Sequence, residues 1–200
     1  MSTRRQFIQT GAALAALGTT SDSIASEPAQ VHINLYKVIV DATFAPSLAF
    51  GERAAWLGLT THASPSDVTS LWYYDLHPRW MRSAAPIAGL TSAESLFCLE
   101  RLAWDHSMRV LFKATHTALP GGEIQHSLMG PRPVVERLAA GYERDPRWAS
   151  LTADAVGRFP AMRGRSSRRI LRTPVGSVDS RFEGTLVSWV IGPVVETVRA

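Results

Sequence analysis

Hydrophobic residues follow two spacings along this chain, and the change from one spacing to the other divides it into strands and helices. Continuous apolar runs bounded by turn-forming residues predict strands that are covered on both faces. Such runs, broken at most by single polar residues, lie at residues 36–40, 85–90, 108–114 and 186–191. Two shorter and more polar segments, residues 59–63 and 123–128, are further candidate strands. Apolar residues spaced three or four positions apart predict helices. These segments lie at residues 47–57, 64–76, 91–104, 134–142 and 148–159.

The stretch at residues 85–116 has the clearest pattern. Gly89 closes its first apolar run and allows the backbone to turn closely into a helix. Thr91, with Glu94 three residues later, forms a Thr-x-x-Glu capping box, which is typical of a helix start. Strand, helix and strand within about thirty residues predict a βαβ unit whose strands are parallel.

Turn-forming residues complete the predicted fold. Ser64 followed by Pro65 predicts a helix start, and Pro78 should interrupt that helix. The Pro-Gly-Gly sequence at residues 120–122 predicts a turn, so the strands beside it should form an antiparallel hairpin at one edge of the sheet. The alternating elements therefore predict an α/β fold, a three-layer sandwich with a mostly parallel sheet around the βαβ core.

The first residues have the organisation of an export signal. The sequence TRRQFI at residues 3–8 precedes an alanine-rich apolar segment, and SIA at residues 23–25 offers small residues to a signal peptidase. This arrangement resembles a twin-arginine export signal, which implies cleavage after Ala25 and a periplasmic location. A frayed terminus and a mitochondrial targeting peptide are the alternatives. Residues 26–200 would then form a single α/β domain of about 175 residues.

Composition is typical of a folded globular chain, since hydrophobic residues make up 46% of it and include six tryptophans. No apolar run approaches the roughly 20 residues of a membrane-spanning helix, so we expect no transmembrane span in the mature chain. Cys98 is the only cysteine, which excludes an internal disulfide. Its place among the apolar residues of a predicted helix indicates a buried and inert thiol.

Positive charge is concentrated near the C-terminal end. A stretch that contains small polar residues, and that predicts a loop, holds Arg163, Arg165, Arg168, Arg169 and Arg172. Such a stretch is either a solvated loop or a surface for an acidic partner or anionic lipid, and its role stays open. Nucleic acid is not an expected partner, because the stretch lacks interleaved aromatic residues and an exported protein does not meet nucleic acid.

Several classes of enzyme leave motifs that this sequence lacks. It has no Gly-x-Gly-x-x-Gly after the first strand, no phosphate-binding glycine-rich loop and no Gly-x-Ser-x-Gly elbow. It has no cysteine pair and no two histidines at i, i+4 spacing, which disfavours a structural zinc site. The sequence therefore indicates no particular cofactor or metal.

Polar residues at the predicted strand ends form the candidate site. Ligands of open α/β sheets usually bind beyond the carboxyl ends of parallel strands. The residues expected there, and predicted to bind a ligand, are Asp41, His62, Thr91, Ser92 and His116. Asp41 and His116 are the candidate acid–base residues for catalysis. A hairpin would also bring His126 towards His116, and such a pair can hold a metal.

Two functions from different classes remain open. The first is an exported accessory protein that pairs with an exported enzyme, such as a redox enzyme, or holds a small ligand. The absence of catalytic motifs favours it, as does the surplus of tryptophan and arginine, which are enriched at interfaces. The second is a periplasmic enzyme with acid–base residues at the strand ends. The accessory protein is the preferred hypothesis.

Overall fold

The computed structural model describes residues 32–65, 67–161, 165–175 and 182–193; the export-signal segment and Arg163 lie outside these ranges. The described strands are β1 (Lys37–Asp41), β2 (Thr61–Ser64), β3 (Ile87–Ser92), β4 (Met108–Leu119), β5 (Glu123–Pro131), β6 (Ser166–Pro174) and β7 (Thr185–Pro193). The described helices are α1 (Ala45–Trp56), α2 (Thr69–Leu71), α3 (His77–Trp80), α4 (Ala93–Trp104), α5 (Arg132–Tyr142) and α6 (Trp148–Gly157). A π-helical segment, Trp72–Leu76, joins α2 to α3. Within the described ranges, no helix has the length and apolar character needed to cross a bilayer.

The seven described strands form one mixed sheet in the order β2-β1-β3-β7-β4-β5-β6. β1 is parallel to both of its neighbours, whereas every other neighbouring pair is antiparallel. The prediction of an α/β fold is confirmed, but the prediction of a mostly parallel sheet is wrong. The cause is that β7 inserts between β3 and β4, and that a short turn after β4 reverses the chain into β5.

The predicted βαβ unit exists with a strand inserted into it. β3 and β4 are both antiparallel to β7, so they run in the same direction but do not touch as neighbours. The predicted hairpin of β4 and β5 is confirmed, although β6 pairs beyond it and takes the edge. β7 is buried from Leu186 to Gly192, as expected of a central strand.

Gly89 lies inside β3 and is not part of a strand-to-helix turn. A Cβ atom placed on it would lie 2.6 Å from the ring of Trp189 on β7, and closer still to the carbonyl oxygen of Ile39 on β1. Glycine is therefore needed here because a neighbouring backbone and an indole ring approach the strand closely.

Strand alternation sends hydrophobic side chains to both faces of the sheet. Val38 and Val40 of β1 belong to a buried cluster with side chains of α1, α5 and α6. Ile39, between them, belongs to a second cluster with Trp189 and side chains of α4 and of the segment from α2 to α3. Because successive strand residues point to opposite faces, the clusters lie on opposite sides of the sheet, here called the α1 side and the α4 side.

The segment from α2 to α3 differs in part from its prediction. Ser64 ends β2 and caps no helix, because helical structure begins only at Thr69. Pro78 lies in α3, and the α-helical pattern is interrupted in the turn before it, as predicted. The π-helical segment comes directly before, where the N–H of His77 bonds to the carbonyl of Trp72 five residues back. This wider turn precedes the position at which proline has no N–H to donate.

The arginine-rich stretch is largely a strand. Arg168, Arg169 and Arg172 lie on β6, which pairs along its length with β5, so the predicted loop is wrong for these residues. β6 is the last strand at its end of the described sheet, and most of its side chains are exposed. Every second side chain of β6 is exposed, and the other face includes a single buried residue, the polar Thr173, so the sequence carries no apolar alternation and resembles a loop.

Candidate functional site

Asp41 is built into the connection between β1 and α1. Its carboxylate Oδ1 accepts the N–H and the hydroxyl of Thr43 at 3.0 and 2.6 Å, as in an Asx turn. The hydroxyl of Ser47 accepts the N–H of Asp41 and donates to the carbonyl of Leu90 on β3. Asp41 and Thr91 therefore lie side by side at the carboxyl ends of β1 and β3, as expected. Asp41 has a structural role there.

Ser92, and not Thr91, caps α4. The hydroxyl of Ser92 accepts the N–H of Ser95 at 3.3 Å. Thr91 is buried, and its hydroxyl accepts the indole N–H of Trp189 at 3.0 Å. The predicted capping box of Thr91 and Glu94 is therefore wrong, because β3 continues two residues past its predicted end and directs Thr91 into the core of the α4 side.

His116 is not at a strand end. β4 continues to Leu119, and His116 is fully buried directly opposite His126 of β5, so the predicted approach of the two histidines is confirmed. Their Nδ1 atoms are 2.7 Å apart. The Nε2 of His116 lies 2.9 Å from the hydroxyl of Ser188 on β7, and the Nε2 of His126 lies 2.9 Å from that of Thr173 on β6. One line of hydrogen bonds thus crosses four strands.

This histidine pair, His116 and His126, is enclosed by aromatic rings. The ring of Trp148 stacks on His116 at 4.2 Å, and the ring of Tyr142 lies 4.7 Å from His126. Burial lowers the pKa of His126 to about 4, and burial together with the neighbouring imidazole holds the pKa of His116 well below its ordinary value. Both rings are therefore neutral at pH ~7, with one Nδ1–H donating to the other Nδ1.

The structure does not bring the two candidate acid–base residues together. β1 and β4 are three positions apart in the sheet, or about 14 Å at the usual spacing of strands. Within the described ranges, no three side chains of the His, Cys, Asp and Glu types converge as a metal site would require. Each ring nitrogen of the histidine pair is engaged by another side chain.

His62 lies among charged side chains that sequence reasoning did not connect with it. The ammonium of Lys37 pairs with one oxygen of the Asp75 carboxylate, and the hydroxyl of Tyr36 donates to the other at 2.5 Å. Burial lowers the pKa of His62, the charge of Lys37 lowers it further, and Asp75 opposes them. We call Tyr36, Lys37, His62, Asp75 and Arg79 the Tyr36 cluster. The sequence signal that could have indicated this cluster is Lys37, a charged residue at the start of a covered strand.

A groove runs between the π-helical segment and α4, with a volume of about 470 Å³. Trp72 and Tyr73 line one wall, and Phe97, Cys98 and Arg101 line the other. We call it the α4 groove. Tyr73 is 66% exposed and Phe97 is 59% exposed, so large aromatic side chains stand in solvent.

The orientation of α4 explains the groove. This helix buries Leu96, Leu99 and Ala103 against the sheet, which turns Phe97 and Cys98 outward. Cys98 is exposed, and the prediction of a buried thiol is wrong because the apolar stripe of α4 is narrower than its sequence indicates.

The guanidinium of Arg101 covers part of the exposed surface of α4. Its Cζ lies 5.3 Å from the ring centre of Phe97 and 4.2 Å from that of Trp104. A cation stacked on aromatic rings shields apolar surface while keeping its own charge in solvent. The α4 groove is therefore flanked by the residue types that are most favoured at interfaces.

No protein-family model matches this chain, and no curated protein or solved structure shows significant similarity to it. The function must be inferred from the side chains and their geometry.

Proposed function

We propose that this protein is an exported accessory protein that binds a partner protein through the α4 groove. The observation that carries the proposal is the pair of exposed aromatic side chains on the two walls of the groove, Tyr73 and Phe97, with Arg101 stacked on Phe97. Aromatic residues and arginine supply most of the binding energy at protein interfaces. Contiguous exposed apolar surface of this kind typically marks an interaction site.

The enzyme hypothesis receives less support from the same structure. Asp41 serves its own turn, Ser92 caps α4, and the hydroxyl of Thr91 bonds to an indole. The histidine pair is buried, with each ring nitrogen engaged by another side chain. A general acid or base must reach the proton that it transfers, which favours binding over catalysis here.

A small apolar ligand is the second candidate occupant of the α4 groove. The volume of about 470 Å³ falls within the usual range for small-molecule sites. A protein partner is preferred because exposed aromatic surface continues along α4 past the groove to Trp104, which is 43% exposed. A small ligand would leave that surface uncovered.

Replacing Phe97 by alanine is expected to reduce co-purification of the partner from periplasmic extract by about tenfold, since central aromatic anchors contribute roughly 1.4 kcal/mol or more. The matched control is W56A. Trp56 is also exposed, also stacks with an arginine, Arg53 at 4.1 Å, and lies on α1 on the other side of the sheet. Equal recovery of the partner with both variants would contradict the proposal.

We also propose export by the twin-arginine route, supported by the sequence of residues 1–25, which lie outside the described ranges. Replacing Arg4 and Arg5 together by lysine is expected to abolish periplasmic accumulation of the mature chain, which fractionation and immunoblotting measure. The matched control, R168K/R169K, makes the same chemical change on β6 and should leave export intact. Undiminished export of the Arg4 and Arg5 variant would refute this route.

The same scaffold leads us to propose three layers, with helices covering both faces of the sheet. The two buried clusters support this arrangement, since each combines strand side chains with those of a different set of helices. The α4 groove then belongs to one outer layer, and the histidine pair faces the other.

A further inference from the structure

The Tyr36 cluster holds more positive than negative charge. The ammonium of Lys37 and the guanidinium of Arg79 lie 5.2 and 5.1 Å from the centre of the Tyr36 ring. Arg82 is a third cation nearby. The hydrogen bond to Asp75 and burial raise the pKa of Tyr36, and the charges of Arg79 and Arg82 oppose that rise. Asp75 is the carboxylate that faces these groups, and both of its oxygens are engaged.

Arg79 contains a buried donor without an acceptor. Within the described ranges, no hydrogen-bond partner reaches its Nε. The face of the Tyr36 ring attracts the guanidinium charge, but it is a poorer acceptor for an N–H than an oxygen is. That nitrogen is closed to solvent, but Arg79 as a whole is only partly buried. Within the described ranges its guanidinium forms no ion pair and no hydrogen bond, so the terminal nitrogens are the donors that an oxygen atom of a ligand can reach.

We propose that the Tyr36 cluster binds a small oxyanion, a phosphate or a carboxylate, through Arg79 with Lys37 beside it. A guanidinium recognises such groups through paired, charge-assisted hydrogen bonds, and a lysine adds a mobile positive charge. Asp75, which orients Lys37, belongs to the π-helical segment, and π-helical turns occur frequently at functional sites. The site is distinct from the α4 groove, so neither proposal depends on the other.

Calorimetric titration of the purified full chain with inorganic phosphate, and separately with succinate, tests the proposal. We expect at least one of them to bind at millimolar concentration or below, and R79Q to weaken that binding by about tenfold or more. A preference for phosphate or for succinate identifies which oxyanion the site accepts. The matched control is R53Q, which removes the same charge from an arginine paired with Asp154 on α6.

A second variant separates a loss of recognition from a loss of structure. R79K keeps the positive charge but lacks the planar guanidinium, so it is expected to stay folded and still to bind more weakly than R53Q. Circular dichroism confirms folding of each variant, and sodium chloride at matched ionic strength serves as the blank. The proposal is overturned if neither anion binds the wild-type chain, or if R79Q and R79K bind as tightly as R53Q.

Discussion

Acidification from about pH 7 to about pH 4 is expected to remove about 3 kcal/mol of the free energy of unfolding through His126 alone. Burial lowers the pKa of this side chain from its usual 6.5 to about 4 in the folded state. Between those two values the unfolded chain binds a proton that the folded chain does not bind. The stabilisation is therefore complete above about pH 6.5 and is lost as the pH falls towards 4.

The surroundings of the histidine pair explain why protonation of either ring is unfavourable. The groups that contact its two rings are the hydroxyls of Ser188 and Thr173 and the aromatic rings of Tyr142 and Trp148. None of these carries a negative charge at this pH. Protonation would therefore place a cation in an apolar setting and break the donation from one Nδ1 to the other.

Urea unfolding of the wild-type chain and of H126Q across this pH range tests the prediction. Glutamine keeps hydrogen-bonding groups but does not titrate, so the stability of H126Q should vary less with pH. H77Q, a change at an exposed histidine, is the matched control and should keep the wild-type slope. Nuclear magnetic resonance provides an independent measurement, and ring signals of His126 that titrate near pH 6.5 would contradict the prediction.

Replacement of Gly89 by alanine is expected to lower the free energy of unfolding by about 3 kcal/mol, because an overpacked core must move to accept the added methyl. The new Cβ would lie 2.6 Å from the ring of Trp189 and even closer to the carbonyl of Ile39. Neither group yields easily. Trp189 is fully buried and its indole N–H is held by Thr91, while Ile39 is part of a paired strand.

Gly141→Ala is the matched control for this change. Gly141 lies in α5, and a Cβ there would make an ordinary contact of 3.4 Å with Leu151. Alanine is favoured over glycine within a helix by roughly 0.5–1 kcal/mol, so this variant should be as stable as the wild type or slightly more stable. Denaturant unfolding measures both variants. A Gly89→Ala protein as stable as Gly141→Ala would show that β1, β3 and β7 pack more loosely than described.

The local spacing of apolar residues was sufficient to predict most helices and strands. The five apolar residues of α5 that face the core recur at helical spacing in the sequence, and the structure buries all of them. The extension of β4 past residue 114 was also visible, since polar Lys113, Thr115 and Thr117 alternate there with Ala114 and His116. Continuing this alternation places His116 on the same buried face of β4 as Ala114.

Long-range pairing could not be predicted in the same way. The insertion of β7 between β3 and β4 joins residues such as His116 and Ser188, which are 72 positions apart. The contact of Lys37 with Asp75 spans 38 positions. Periodicity reports which face of an element is buried, and it carries no information on which element covers that face.

The candidate site was harder to predict from sequence than the fold, because its geometry depends more on these long-range pairings. Local sequence placed Asp41 and Thr91 correctly at one edge of the sheet. It could not show that Thr91 would be engaged by Trp189, or that α4 would turn Cys98 outward. The α4 groove, which carries the proposed function, arises from the packing of two segments that are separated in sequence.

Photo-crosslinking from Cys98 tests most directly whether the α4 groove is the binding surface for a partner protein. Cys98 is exposed, lines the groove and is the only cysteine, so a maleimide benzophenone attaches at this position alone. Irradiation with periplasmic extract should link the chain to one defined protein, and F97A should reduce the amount of linked product by about tenfold. The label moved to α1 in W56C/C98A should not capture that protein. Equal capture from both positions, or capture that F97A does not reduce, would contradict a partner-binding role for the groove.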